Sequence, residues 1–256
     1  MKKYLFLFLI TISVLDINAQ YRRFDSYSVF GGYAFLKTDF GARNDWSTNL
    51  SNTGLEVGGK IYYNLFPYHW TWGGIYHIRT NIELDFATGK VEHIGRWTRG
   101  KNSPLAQKLK AMYAKPTFFG LGLGLEYSLQ DVQYYNYATL YGIYRFNVTP
   151  GVTLMAYYYR PNIVSELGDI TNPELQKEIL YPRFVGKVYP DSGVAFAAVF
   201  KLMFTYQLYE TVHIFMENRA TMFFSDKVDG LDVNDEADKY TDWIYTPTLG
   251  ITYFLW

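Results

Sequence analysis

The stretch TDWIYTPTLGITYFLW, residues 241–256, decides how the rest of the chain is read. From position 243 to 255 every second residue is aromatic, aliphatic or proline, and those between are mostly Thr or Gly. That is the two-residue period of a strand with one apolar face. A water-soluble sheet seldom ends on so aromatic a strand. A closed barrel in a bilayer does, because its last strand faces lipid and pairs back to the first. The expected fold is therefore all-β: one transmembrane antiparallel up-and-down β-barrel whose earlier strands precede this one.

Composition agrees with that expectation. Aromatic residues make up 20% of the 256, led by 25 Tyr and 19 Phe, yet the mean hydropathy is only −0.12. Apolar residues must then be interleaved with polar ones, which is the balance of a lipid-facing exterior around a polar lumen. Lys plus Arg and Asp plus Glu number 24 each, so there is no basic surface for nucleic acid and no acidic tail. Residues 1–19 have the parts of a cleaved signal peptide: Lys2 and Lys3, an apolar run over 4–15, and Ala19 before the expected cut. Ile17 is bulkier than the small residue usual at that position. The expected organisation is a signal peptide at 1–19 and one outer-membrane barrel at 20–256. The chain has no Cys, which excludes a lipobox anchor and disulfides. No later segment holds the roughly 18 unbroken apolar residues of a membrane helix, so a barrel is the remaining way to span.

Strand one is expected at 25–36, with Tyr27, Val29, Tyr33 and Phe35 on one face and Ser26, Ser28, Gly32 and Ala34 on the other. Strand two, at 54–65, sends Leu55, Val57 and Ile61 outward and Glu56, Gly58 and Lys60 inward. An aromatic turn at 66–72 would lie in the interfacial belt. Strand three, at 74–86, places Ile78, Ile82, Leu84 and Phe86 on lipid, and Arg79, Asn81, Glu83 and Asp85 inside. In the long segment 87–115, Ser103 followed by Pro104 and helically spaced apolar residues predict a short helix in an external loop. Strand four, at 117–128, alternates Leu121, Leu123 and Leu125 with Gly120, Gly122, Gly124 and Glu126.

Segments 137–146 and 152–159 both look like strands, and counting both would give nine. Bacterial single-chain barrels use even numbers, with short turns at one end and long loops at the other. Strand five is therefore assigned to 152–160, and 129–148 to a long periplasmic connection; ten strands is the alternative. An external loop at 161–191, strand six at 193–207, a tight turn at 209–211, strand seven at 212–224 and an acidic loop at 225–240 lead to the C-terminal strand. Eight strands result.

The inward charges are Glu56, Glu83, Asp85, Glu126 and Glu217 against Lys60, Arg79, Lys201 and Arg219. An eight-stranded barrel is just wide enough for side chains to fill. An unpaired charge in such a lumen would cost several kcal/mol, so these residues predict a structural salt-bridge network. A proton or ion path is the alternative, and a substrate pore is disfavoured. Lipid hydrolysis or acyl transfer would need a His beside a Ser or acid at the outer rim. His69 falls in the aromatic turn, and His77 and His213 fall near the periplasmic end. Only His93, with Glu92 and Ser103 nearby in sequence, belongs to the outer side, and no motif joins the three. No catalytic residue and no cofactor are expected. Asp226, Asp229, Asp232, Asp235, Glu236, Asp238 and Asp242 do not follow the calcium-loop spacing, so a solvated acidic loop without metal is expected. The other external loops are expected to be partner surface.

Several segments carry a resemblance: TDFGARND (38–45), SNTGLEVG (51–58), HIGRW (93–97), SELGD (165–169), and FSDKVDG (224–230) followed by KYTDW (239–243). They resemble a family of small outer-membrane barrels of Flavobacteria and other Bacteroidota, similar in turn to the small barrel that accompanies the type IX secretion and gliding machinery. The motifs lie in loops and strand ends and name no chemistry. The resemblance implies a Gram-negative outer-membrane location and non-enzymatic association with other envelope components, and it transfers no catalytic residue. The expected function is an anchor or accessory subunit of an envelope complex, in type IX secretion and gliding. The expected partners are outer-membrane lipid and, through the external loops, other envelope proteins. A lipid-modifying outer-membrane enzyme and a narrow channel are the alternatives.

Overall fold

The computed structural model of the protein describes residues 24–41, 46–63, 77–95, 98–129, 145–232 and 242–255. The segment 1–19, His69 with its aromatic turn, and Trp256 lie outside the described residues. In chain order the elements are β1 (Phe24–Lys37), α1 (Trp46–Ser51), β2 (Thr53–Tyr63), β3 (Ile78–Gly89), β4 (Val91–Glu92), α2 (Pro104–Lys110), β5 (Met112–Ala114) and β6 (Thr117–Tyr127). There follow β7 (Phe146–Arg160), β8 (Ile163–Ser165), α3 (Pro173–Ile179), a single 3-10 turn (Pro182–Phe184), β9 (Gly193–Gln207), β10 (Val212–Phe223) and β11 (Trp243–Phe254).

Eight of these strands close into an antiparallel barrel in the order β1-β11-β10-β9-β7-β6-β3-β2. Closure is made by the C-terminal strand, which pairs with β1 from Ser26 opposite Phe254 to Lys37 opposite Trp243. A closed ladder leaves no unpaired edge to face hydrocarbon. Both described chain ends and the 208–211 turn lie at one end, and the excursions 38–52, 90–116 and 161–192 leave the barrel from the other. By the construction of bacterial barrels the first end is periplasmic and the second extracellular.

The alternation read from sequence sets the two faces. On β6, Leu123 is 69% exposed while Glu126 is 2% exposed, and the strand keeps that rhythm throughout. Outward rings pair across the closing seam, Tyr27 with Tyr253 at 5.5 Å and Phe35 with Tyr245 at 6.4 Å. The glycines of β6 have a steric reason. A Cβ on Gly122 would come within 2.2 Å of Met155 Sδ and 2.5 Å of the Leu154 carbonyl oxygen, so the strand yields its inward space to β7. We expect Gly122→Val to destabilise the refolded barrel by about 1–3 kcal/mol in urea unfolding. An unchanged midpoint would mean that the lumen is less tightly filled than described.

Strand boundaries depart from the sequence reading in two places. β3 runs on to Gly89, and β7 begins at Phe146, six positions before 152. Asn147, Thr149, Gly151 and Thr153 keep the inward phase, while Pro150, in a run that reads as a turn, faces out. The register of β7 with β6 stops at Gly151 opposite Glu126, whereas its pairing with β9 continues to Phe146 opposite Tyr206. Pro150 thus sits at a break in the β6 ladder, which is taken up again by the Leu129 N–H donating to the Val148 carbonyl at 3.1 Å, and a missing N–H is tolerated at such a break. Among the described residues the barrel closes with eight strands. Most of the segment that would have supplied further strands, 130–144, lies outside them.

The extracellular loops, read from sequence as loops carrying one helix, fold into a cap. β4, β5 and β8 form a small antiparallel sheet, with Val91 opposite Ala114 and Met112 opposite Ser165. The chain turns from β7 into β8 at Asn162, whose φ of 49° suits an Asn and whose Nδ2 donates to the Lys115 carbonyl at 3.0 Å. The expected helix is α2: Ser103 caps it by accepting from the Ala106 N–H at 3.3 Å. α3 repeats the device, with Asn172 accepting from the Glu174 N–H at 3.0 Å ahead of Pro173. Buried Gln176 ties the cap together, donating to the Ile170 carbonyl at 2.9 Å and accepting from the Gly186 N–H at 3.0 Å.

Candidate functional site

From the periplasmic end upward, the lumen is layered. Arg79 lies lowest: its Nη2 donates to Ser26 Oγ at 2.6 Å, and its guanidinium sits 4.0 Å from the centre of the Tyr62 ring. Phe30, Met203 and Phe215 make a small apolar cluster inside the barrel. Lys60 lies over the two rings, 5.6 Å from Phe30 and 5.7 Å from Phe215, and Arg219 is 4.6 Å from Phe30.

The remaining eight charges named from sequence join in one network. Arg219 is its hub, with Nε 2.8 Å from Glu56, Nη1 2.9 Å from Glu217, and Nη2 2.5 Å from Glu83 and 3.1 Å from Asp85. Lys201 bridges Glu83 at 2.9 Å and Glu126 at 3.2 Å. Lys60 pairs with Glu217 and reaches Glu126 at 3.4 Å. Neutral partners add to it: Asn81 donates to Glu126 at 2.9 Å, Tyr157 to Asp85 at 2.8 Å, and Thr246 to Glu56 at 2.6 Å. Sequence reasoning placed Asn81 inside but missed Tyr157 and Thr246. Their inward phase, two residues apart along β7 and β11, was the available signal.

Above the charges the lumen turns apolar. Phe118, Tyr157 and Phe223 pack ring on ring, Phe223 lying 5.3 Å from each of the other two. Met155, Leu36 and Ile244 pack into the same cluster. That cluster continues without a break into the cap, through Phe40, Val91 and Met112 to Ile179, Leu180 and Phe184. The extracellular mouth is therefore filled, and it is filled by the same core that holds the cap down.

In the cap, His93 is buried between two rings, 4.7 Å from Phe40 and 5.1 Å from Phe184. Its Nδ1 accepts from the Gly41 N–H at 2.9 Å, so the proton of the neutral ring is on Nε2. A ring in that state offers a donor and cannot take a proton from a hydroxyl through Nε2. Ser103, the serine nearby in sequence, is engaged as the N-cap of α2. The acyl-transfer arrangement weighed from sequence is therefore not assembled by these groups. At the periplasmic side, His77 Nδ1 lies 2.8 Å from the Ser128 carbonyl oxygen, and the His213 ring lies 4.4 Å from Phe254.

The acidic loop is a correction as well. Asp229 is fully buried, accepting from the Asp39 N–H and the Leu231 N–H, each at 2.9 Å, and Asp242 is also buried. This part of the loop is a built piece of the cap and not a solvated surface; Asp235, Glu236 and Asp238 lie outside the described residues. Among the described residues no group of three His, Asp or Glu side chains could hold a metal ion. Nor is any helix among them long and apolar enough to cross a membrane.

Solved structures similar to this chain are small outer-membrane proteins. Neisserial surface protein A is 7% identical with a TM-score of 0.46, over 90% of this chain and 97% of that one. Ail, the attachment invasion locus protein of Yersinia pestis, is 8% identical with a TM-score of 0.39, over 91% and 98%. A major outer membrane protein of Thermus thermophilus is 12% identical with a TM-score of 0.49, over 90% and 99%. No family model matches the chain, and no curated protein matches its sequence. The fold rests on the strand register given above, and the location on its apolar exterior and charged interior, the construction of Gram-negative outer-membrane barrels.

The His93 environment gives the cap a pH dependence. Burial, with the Arg183 guanidinium adding to it, pushes the imidazole down to about 3. In the unfolded chain a His titrates near ~6.5. Between those values the unfolded state takes up a proton that the folded cap refuses, so stability is full above the upper value and falls as pH falls below it. The slope from this one group is about 1.4 kcal/mol per pH unit. Between pH 7 and pH 5, urea unfolding should show wild type losing about 2 kcal/mol more than His93→Phe. Equal losses would contradict the buried, neutral assignment.

Proposed function

We propose that this protein is a non-enzymatic outer-membrane anchor that presents a folded extracellular cap to an envelope complex, as an accessory subunit of type IX secretion and gliding. One observation carries this reading: a single apolar core runs from the upper lumen into the cap. A barrel so filled is suited to holding a surface still, because the cap cannot move without disturbing the barrel core.

A second observation supports it. Segments that carry the family resemblance meet in the cap: the Asp39 N–H donates to Asp229 and the Gly41 N–H to His93. Residues shared with a family for its envelope role are suited to building such a partner-facing surface. Affinity purification of the tagged protein from native outer membranes should bring down other envelope subunits. Deleting the gene should impair secretion or gliding. Deletion that leaves secretion, motility and outer-membrane composition unchanged would remove the accessory role.

A further inference from the structure

The cap contains a cavity of about 120 Å³ that the anchoring role does not use. Its polar side is made by His93, Asp39, Arg183 and Tyr181, and its apolar side includes Leu109 and Phe184. The elements that supply them converge from three loops: the segment after β1, the β3–β6 excursion with its segment after β4 and α2, and the 3-10 turn that follows α3. His93 is 7% exposed, and among the described residues its Nε2 has no hydrogen-bond partner. A buried donor left unpaired is destabilising, and the rings of Phe40 and Phe184 prevent this one from swinging out to water.

We propose that this cavity is a binding site for one neutral sugar ring, either free or at the end of a surface glycan. The lining dictates the class. An anion in the cavity would meet the Asp39 carboxylate, and a cation would meet the Arg183 guanidinium and the His93 N–H. A neutral polyol suits both: its hydroxyl oxygens accept from His93 and Arg183, its hydroxyl hydrogens go to Asp39, and its C–H face lies against Leu109 and Phe184. The volume holds several water molecules or one small ring. Because His93 stays uncharged down to acidic pH, the site presents the same donor across the physiological range.

The test uses the mature full-length protein, folded in detergent micelles. Glucose, galactose, mannose and N-acetylglucosamine are titrated by calorimetry and saturation-transfer NMR, with acetate and inorganic phosphate as anionic controls. At least one sugar should bind saturably and the anions should not. His93→Phe keeps the ring stack and removes the Nε2 donor, and it should weaken binding about tenfold. Because that variant also removes the acceptor for Gly41, Arg183→Gln is measured beside it and should weaken the same sugar. Each variant is first shown to keep the folded band on unboiled gels. Competition by dispersed lipopolysaccharide would identify a surface glycan as the source, and its failure to compete would assign a free sugar. The proposal is overturned if no sugar saturates, if an anion binds in preference, or if both variants bind as tightly as wild type.

Discussion

Arg219→Met should destabilise the refolded barrel by about 3–5 kcal/mol, the largest effect we expect from one side chain in the charged layer. The guanidinium touches four carboxylates, those of Glu56, Glu83, Asp85 and Glu217. Removing it leaves them facing one another with Lys60 and Lys201 as the remaining direct partners in that network. Desolvation makes this costly: a buried ion pair adds little over an apolar equivalent, but half of one leaves charge that water cannot reach. The check is urea unfolding, followed by tryptophan fluorescence and gel migration. Adding Glu83→Gln and Asp85→Asn should recover part of the loss, because the hub and its acids are in direct contact and their effects cannot be additive. A loss of about 1 kcal/mol or less, the value of exposed ion pairs, would mean that the lumen is wet.

Phe223→Ala should cost about 3–5 kcal/mol by the same measurement, as expected for a large buried ring whose neighbours cannot collapse into the space. Phe223 is fully buried and touches the rings of Phe118 and Tyr157, both rooted in barrel strands. The apolar core is continuous, so the cap should loosen with the barrel: amides of β4, β5 and β8 should exchange faster in the variant. Lower stability with cap protection unchanged would separate the two, and the anchoring role would lose its physical basis.

The barrel was legible in the sequence because each long strand repeats one contrast many times. On β6 the alternation of Leu and Gly runs through 120–125, and on β9 Phe200, Leu202, Phe204 and Tyr206 recur at every second position; a shift of one residue would reverse every face. The lumen charges were legible for the same reason, as ionic side chains in the minority phase. The cap was not. β4, β5 and β8 are two or three residues long and cannot show a period, and the β5–β8 pairing joins segments some fifty residues apart, as in Tyr113 with Val164. α3 could have been found, since Asn172-Pro173 repeats the cue of Ser103-Pro104 that located α2. The start of β7 was hidden by Pro150-Gly151, which reads as a turn wherever the neighbouring pairing is unknown. Phe30 and Phe215 were overlooked because lipid-facing logic assigns rings outward, whereas these two support Lys60 from within.

The central claim is that this is a filled barrel holding a cap, and recording from the purified protein in planar bilayers tests it most directly. The ion-pair layer around Arg219 and the apolar layer around Phe223 predict a silent membrane across the usual range of voltage and salt. Discrete, reproducible conductance steps from the wild-type protein would contradict it.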